Sequence, residues 1–169
     1  MRNDKIQKLV WAALFTALTA VATMIRFPVP LANGYVNAGD AIVIVGAFLL
    51  GPAWGALAAG LGASLADIFS GFAIYAPATL IIKALMALAA GAILRKLKDK
   101  KPTFPAILGS VTAVTIMVSG YFVYEVIIYG FAGAVADIVP NCIQGAFGVL
   151  AGTALFYALL RIPYVKKTF

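Results

Sequence analysis

Five ionisable side chains lie within otherwise apolar stretches of the chain: Asp40, Asp67, Lys83, Glu125 and Asp137. A charge in hydrocarbon is costly, so such residues face a cavity, a partner or each other. Helical spacing groups them further. Tyr121, Glu125 and Tyr129 recur every four residues and share one helix face. Asp137, Asn141, Gln144 and Gly148 share another. Two such stripes would line a pocket with aromatic walls and a few polar contacts, the pattern of a small-ligand site. Tyrosine rings stack on a heteroaromatic ring. Asn, Gln, Glu and Lys satisfy its nitrogens and hydroxyls, because a buried polar group without a partner is expensive. The chemistry is that of binding a neutral or zwitterionic heteroaromatic molecule.

Blander roles are open for most of these groups. Asp40 and Asp137 open apolar spans, where a helix macrodipole favours a carboxylate. Asp67 and Lys83 would also serve as a structural pair. Asn141 and Gln144 would also serve as interhelical hydrogen-bond donors and acceptors. Tyr129 lies near a span end, where tyrosine is a common interfacial anchor. Glu125 has no basic residue on a neighbouring turn, which favours a ligand contact.

Catalysis has little to work with. The chain has no His and one Cys, Cys142. No phosphate-cradling Gly-rich motif followed by Lys is present, so the chain does not hydrolyse ATP itself. No metal site or cofactor is expected, and the protein reads as a non-enzyme. The lone cysteine excludes an intrachain disulfide.

The elements that position these residues follow from composition. Of 169 residues, 63% are apolar and 11% charged, far from the balance of a soluble domain. Apolar stretches long enough to cross a bilayer predict six helices, over about 9–25, 39–50, 52–69, 77–94, 105–129 and 137–160. Pro28 and Pro30 end the first. Gly51-Pro52 divides the second from the third, since Gly ends one helix and Pro tolerates the first turn of the next. The expected architecture is all-α: a polytopic membrane protein with a bundle of six transmembrane helices in one domain, 1–169.

Charge sets the orientation. Eleven of the thirteen Lys and Arg residues fall in three clusters. Arg2, Lys5 and Lys8 form the first. Arg95, Lys96, Lys98, Lys100 and Lys101 form the second, between the fourth and fifth spans. Arg161, Lys166 and Lys167 form the third. Six spans place all three clusters on one side, and the positive-inside rule makes that side cytoplasmic, with both termini. The basic pI is then topology, and no nucleic-acid partner is needed to explain it. The five intramembrane ionisable groups all fall in the outer half, as a cavity open to the outside would require. No cleavable leader is expected, because the first apolar stretch is long and lacks a small-residue cleavage site.

Small residues form a further pattern. Ala13 and Ala17 lie four apart on the first span, and Ala56, Gly60 and Ser64 line a face of the third. Such faces let helices approach closely, either within the bundle or against another membrane subunit.

The chain resembles a known family in the order of several short motifs. These are Gly34-Tyr35-Val36-Asn37-Ala38-Gly39-Asp40, Gly51-Pro52-Ala53-Trp54-Gly55 and Ser64-Leu65-Ala66-Asp67. Tyr75-Ala76-Pro77-Ala78-Thr79-Leu80-Ile81-Ile82-Lys83 and Pro140-Asn141-Cys142-Ile143-Gln144-Gly145 follow. Together they resemble the substrate-binding S components of energy-coupling factor (ECF) vitamin transporters, in the branch associated with riboflavin, hydroxymethylpyrimidine or pyridoxine. The resemblance covers nearly the whole chain. It implies a subunit of an ABC-type importer in a prokaryotic cell membrane that captures a vitamin or precursor from outside. Its implied partners are a membrane coupling subunit (T component), two cytoplasmic ATPases and the lipid bilayer. In the family an Ala-xxx-Ala motif on the first helix meets the coupling subunit, and here Ala13 and Ala17 match it. Loops after the first and third spans cap the pocket, here about 27–37 and 70–76. The implied substrate-binding set is Asn37, Asp67, Tyr75, Lys83, Tyr121, Glu125, Asn141 and Gln144. A hydroxymethyl-bearing pyrimidine or pyridine is preferred to riboflavin on the family branch alone.

Two other readings compete. A self-sufficient transporter or channel would need a path through the membrane, yet the ionisable residues crowd into one half. A membrane-embedded enzyme or assembly factor would need paired carboxylates or a nucleophile held together, and the spacing fixes no such pair.

Overall fold

The computed structural model describes residues 2–28, 35–101, 103–163 and 165. Helix α1 spans Arg2–Met24, α2 Gly39–Leu50, α3 Pro52–Phe69, α4 Ala76–Lys96 and α5 Thr103–Leu159. Between α1 and α2, strands β1 (Arg26–Pro28) and β2 (Tyr35–Asn37) pair antiparallel, with Arg26 opposite Asn37, Phe27 opposite Val36 and Pro28 opposite Tyr35. The described residues are otherwise helical, as expected, and this short hairpin is an addition to the all-α reading. Phe27, Tyr35 and Val36 are the aromatic and β-branched residues that fit a pleated pair. They lie outside the apolar spans, where a search for membrane helices does not look. The rest of this capping segment, 29–34, lies outside the described residues, as do Lys166 and Lys167 of the C-terminal basic cluster.

The number of continuous helices is five rather than six. The expected break between the fifth and sixth spans is a single residue, Gly130, with φ 76° and ψ 172°. Residues 131–136 are Phe-Ala-Gly-Ala-Val-Ala. They carry no proline or polar turn residue and join the helix that follows. The two arms of α5 nevertheless fold back on each other. Ser110 Oγ lies 3.2 Å from Thr153 Oγ1, and Gln144 Nε2 lies 3.4 Å from Met117 Sδ. A side-chain carbon on Gly145 would meet Val114. These pairs converge on Gly130, so α5 is a helical hairpin. Its turn needs a positive φ, which only glycine adopts without strain. As a straight rod 57 residues would run about 85 Å, nearly three times a bilayer's hydrocarbon thickness.

Helix α2 is the centre of the bundle. Eleven of its residues are buried, from Gly39 to Leu50 with Ile42 the exception. It packs on α1, α3, α4 and α5. This explains a helix of 12 residues with apolar side chains all round. Around it the outer helices turn large apolar residues outward, among them Leu9, Leu61, Ile81, Ile127 and Leu150. Helices α1 (from Lys5), α4 and α5 are long and apolar enough to cross a membrane. Gly60 of α3 sits so close to the Leu80 carbonyl of α4 that a Cβ would come within 2.7 Å of it. That is the internal packing use of the Ala56–Gly60–Ser64 face. At the end of the bundle where α2 stops, Arg95 Nη2 donates to the Leu50 carbonyl at 3.1 Å and caps the helix.

Candidate functional site

All the intramembrane ionisable groups meet at one end of the bundle. It is the end where α1 and α3 finish, α2 and α4 begin, and α5 turns. A cavity opens there, with polar and aromatic side chains converging on it. Helix α1 contributes Thr23, the hairpin contributes Asn37, and α3 contributes Asp67. Phe72 and Tyr75 come from the α3–α4 connection, and Thr79 and Lys83 from α4. The arms of α5 supply Tyr121 and Glu125 on one side and Asp137, Pro140, Asn141 and Gln144 on the other. Every residue of the substrate-binding set read from the sequence lines this cavity.

Their roles differ. Lys83 and Asp40 form an ion pair, with side chains 2% and 0% exposed. The structural pairing of Lys83 with Asp67 considered above is therefore corrected to Asp40. The reason is register: Lys83 lies two turns into α4, level with the first turn of α2. Gln144 Nε2 donates to the other Asp40 oxygen at 2.7 Å. Gln144 Oε1 in turn accepts from the Asn37 backbone N–H at 2.9 Å and from Asn37 Nδ2 at 3.0 Å. Asn37 Oδ1 accepts from the Gly39 N–H at 2.8 Å. One buried chain thus runs Lys83–Asp40–Gln144–Asn37, tying α4, α2, α5 and the foot of the β-hairpin together. Gly148 makes the fit close enough, because a Cβ there would come within 2.8 Å of Asp40 Cβ.

The opposite wall is aromatic and acidic. Tyr121 is hydrogen-bonded to Thr79 at 3.0 Å, and Lys83 Nζ lies 5.4 Å over its ring. Tyr75 packs against Tyr121, Tyr124 and Tyr129, with centroid distances of 6.4, 5.8 and 6.3 Å. Tyr124 donates to the Ile74 carbonyl and fixes the connection that carries Tyr75. Burial, then nearby Tyr129 and Glu125, push the Tyr75 hydroxyl above its ordinary pKa, so it stays protonated and able to donate. Glu125 is buried beside it, and Glu125 Oε2 and the Tyr75 hydroxyl have no hydrogen-bond partner among the described residues. Asp137 faces Glu125 from the other arm of α5. It sits in the second turn after Gly130 and does not open a helix, because α5 resumes at 131. Pro140, inside α5, removes the N–H that would bond the Ala136 carbonyl, on the cavity wall.

Sequence reasoning did not single out four lining residues, Pro140 and three others. Thr23, Phe72 and Thr79 read as ordinary helix or loop residues. Thr23 Oγ1 is buried without a hydrogen-bond partner among the described residues, a signal visible only in three dimensions. Tyr129 lies behind Tyr75 and is 42% exposed. Ala13 and Ala17 are exposed on the outer face of α1, while Ala12, Phe15 and Thr19 turn inward. Among the described residues no group of three His, Cys, Asp or Glu could hold a metal.

The model of the ECF-type riboflavin transporter S component matches residues 3–161. The chain belongs to this family. It is 34% identical over 146 residues to an uncharacterised protein of Pyrococcus woesei, covering 86% of this chain and 95% of that one. It is 30% identical over 170 residues to the thiamine precursor transporter HmpT of Lactococcus lactis subsp. cremoris, covering 99% and 93%. Two solved structures share the fold. One is the S component of a bacterial ECF transporter, with TM-score 0.76, 23% identity and coverage of 93% and 97%. The other is the S component for biotin of an ECF-type ABC transporter, with TM-score 0.76, 15% identity and coverage of 100% and 98%. The chain is thus an integral membrane protein and the substrate-binding subunit of a vitamin transporter, not an enzyme. S components of this kind work with a T component and ATPases.

Proposed function

We propose that this S component captures a hydroxymethylpyrimidine- or pyridoxine-like vitamin precursor, with riboflavin as the larger alternative. The observation that carries this is the cavity itself, where polar atoms of Glu125, Tyr75 and Thr23 that have no hydrogen-bond partner among the described residues sit among aromatic rings. Such atoms are satisfied when a polar ring enters. The relative described as a thiamine precursor transporter supports the smaller ring.

The proposed contacts are Asp67, Tyr75, Lys83, Tyr121, Glu125 and Asn141. Asn37 and Gln144 act from behind by holding the hairpin over the site. The chain forms one membrane domain crossing six times, each arm of α5 crossing once, with both termini in the cytoplasm. Three basic clusters, at the N-terminus, between α4 and α5, and at the C-terminus, support that orientation. The cavity then opens outward, and Ala13 and Ala17 offer a close-packing face to the coupling subunit.

Native mass spectrometry of the protein purified from cells grown in rich medium, with extraction of bound small molecules, tests this reading. A co-purified vitamin or precursor is expected. A protein that carries none and ignores a panel of B vitamins and their precursors would overturn it. A self-sufficient transporter would take up ligand without the coupling subunit and ATPases.

A further inference from the structure

Among the described residues the cavity is lined by three carboxyl side chains, Asp67, Glu125 and Asp137, and one cation. Lys83 is its one lining cation among the described residues, and it is already engaged by Asp40 and by the face of Tyr121. Arg26, near the mouth, lies 5.2 Å over the Phe72 ring and reaches the Ser70 carbonyl at 3.5 Å. At the opposite side Glu125 is 3% exposed, and its Oε2 accepts no hydrogen bond from the described residues. Asp137, 2% exposed, adds a second carboxylate from the facing arm. A buried carboxylate oxygen without a donor is costly, and a second one beside it raises the cost. The rings of Tyr75, Tyr124 and Tyr129 cluster at the same place. Tyrosine rings gathered beside carboxylates attract a cation twice over, through the charge and through the negative ring faces.

We infer that the Glu125–Asp137 end of the cavity is a subsite for an N–H-donating or positively charged nitrogen, so the ligand is a heteroaromatic ring bearing an amino group or a cationic ring nitrogen. The inference rests on the vitamin reading above and narrows it. The nitrogen donates N–H to Glu125 Oε2 and offsets its charge, while the ring lies against Tyr75. A neutral ring with a hydroxyl in that place satisfies one oxygen and leaves the charge. A phosphate ester is repelled. Lys83, held by Asp40, is poorly placed to reverse that preference.

The test is equilibrium binding to the full chain in nanodiscs at pH 7, with ligand pairs that differ at one nitrogen. Pyridoxamine is compared with pyridoxine, and 4-amino-5-hydroxymethyl-2-methylpyrimidine with its 4-hydroxy analogue. Thiamine serves as a permanent cation and riboflavin as a neutral ring. The amino member of the pair that binds is expected to be tighter by about tenfold or more, the scale of a charge-assisted hydrogen bond. E125Q is expected to bring that ratio close to one without lowering the unfolding temperature. Equal affinities within the binding pair, tightest binding of riboflavin, or a ratio that survives E125Q would overturn the cation subsite and leave the vitamin reading standing. Failure of every probe to bind would overturn both.

Discussion

Lys83 and Asp40, 43 residues apart, are joined in a buried ion pair that locks the start of α4 against the start of α2. Lys83 is thereby both a wall of the cavity and part of the frame. Breaking the pair leaves a carboxylate buried without its cation, which typically costs about 3–5 kcal/mol. K83M is expected to lower the unfolding temperature in detergent sharply, and D40N/K83M to recover much of the loss. A K83M protein as stable as the parent would show that Asp40 finds its compensation elsewhere.

Gln144 couples the hairpin to that pair. Q144A removes the acceptor of both Asn37 donors and one donor to Asp40. Leaving buried groups unsatisfied costs about 1–3 kcal/mol. Faster amide exchange at Val36 and Asn37 is expected, with weaker ligand binding. Unchanged exchange there would mean the hairpin is held by its strand pairing alone.

Gly130 makes the turn of α5 with a positive φ and nothing within 4 Å of an added Cβ. G130A therefore meets no clash, only backbone strain of about 1–3 kcal/mol. A modest fall in unfolding temperature is expected with the fold kept. A G130A variant of unchanged stability would mean that the turn relaxes out of the left-handed region.

Ala13 and Ala17 face outward on α1. A13W and A17W are expected to leave ligand affinity and stability intact and to abolish co-purification with the coupling subunit and ATPases. Loss of binding together with normal assembly would place the coupling surface elsewhere.

The membrane class, the basic clusters and the polar stripes of the α5 arms were legible in the sequence. They rest on hydropathy and on helical period, which are local properties. Glu125 could be singled out because an ionisable group without a nearby counter-charge is conspicuous along one helix. Asp40, in contrast, read as a helix-start carboxylate, because its partner comes from another helix. The β-hairpin escaped for a related reason: three-residue strands carry almost no periodicity, and the Gln144 that bonds the hairpin foot lies over a hundred residues away in the chain. The break between the fifth and sixth spans was legible in the sequence, but its form was not: the helix resumes directly after Gly130, so the turn is a single residue.

The sequence by itself determined which residues are too polar for lipid and which segments are apolar enough to enter it. Tertiary structure alone decided how those polar residues divide their work. Lys83, Asp40, Gln144 and Asn37 satisfy one another across four elements, and Glu125 keeps an oxygen with no donor among the described residues. Burial and hydrogen-bond pairing are relations between segments far apart in the chain, and only the packing of α2 against α4 and α5 sets them.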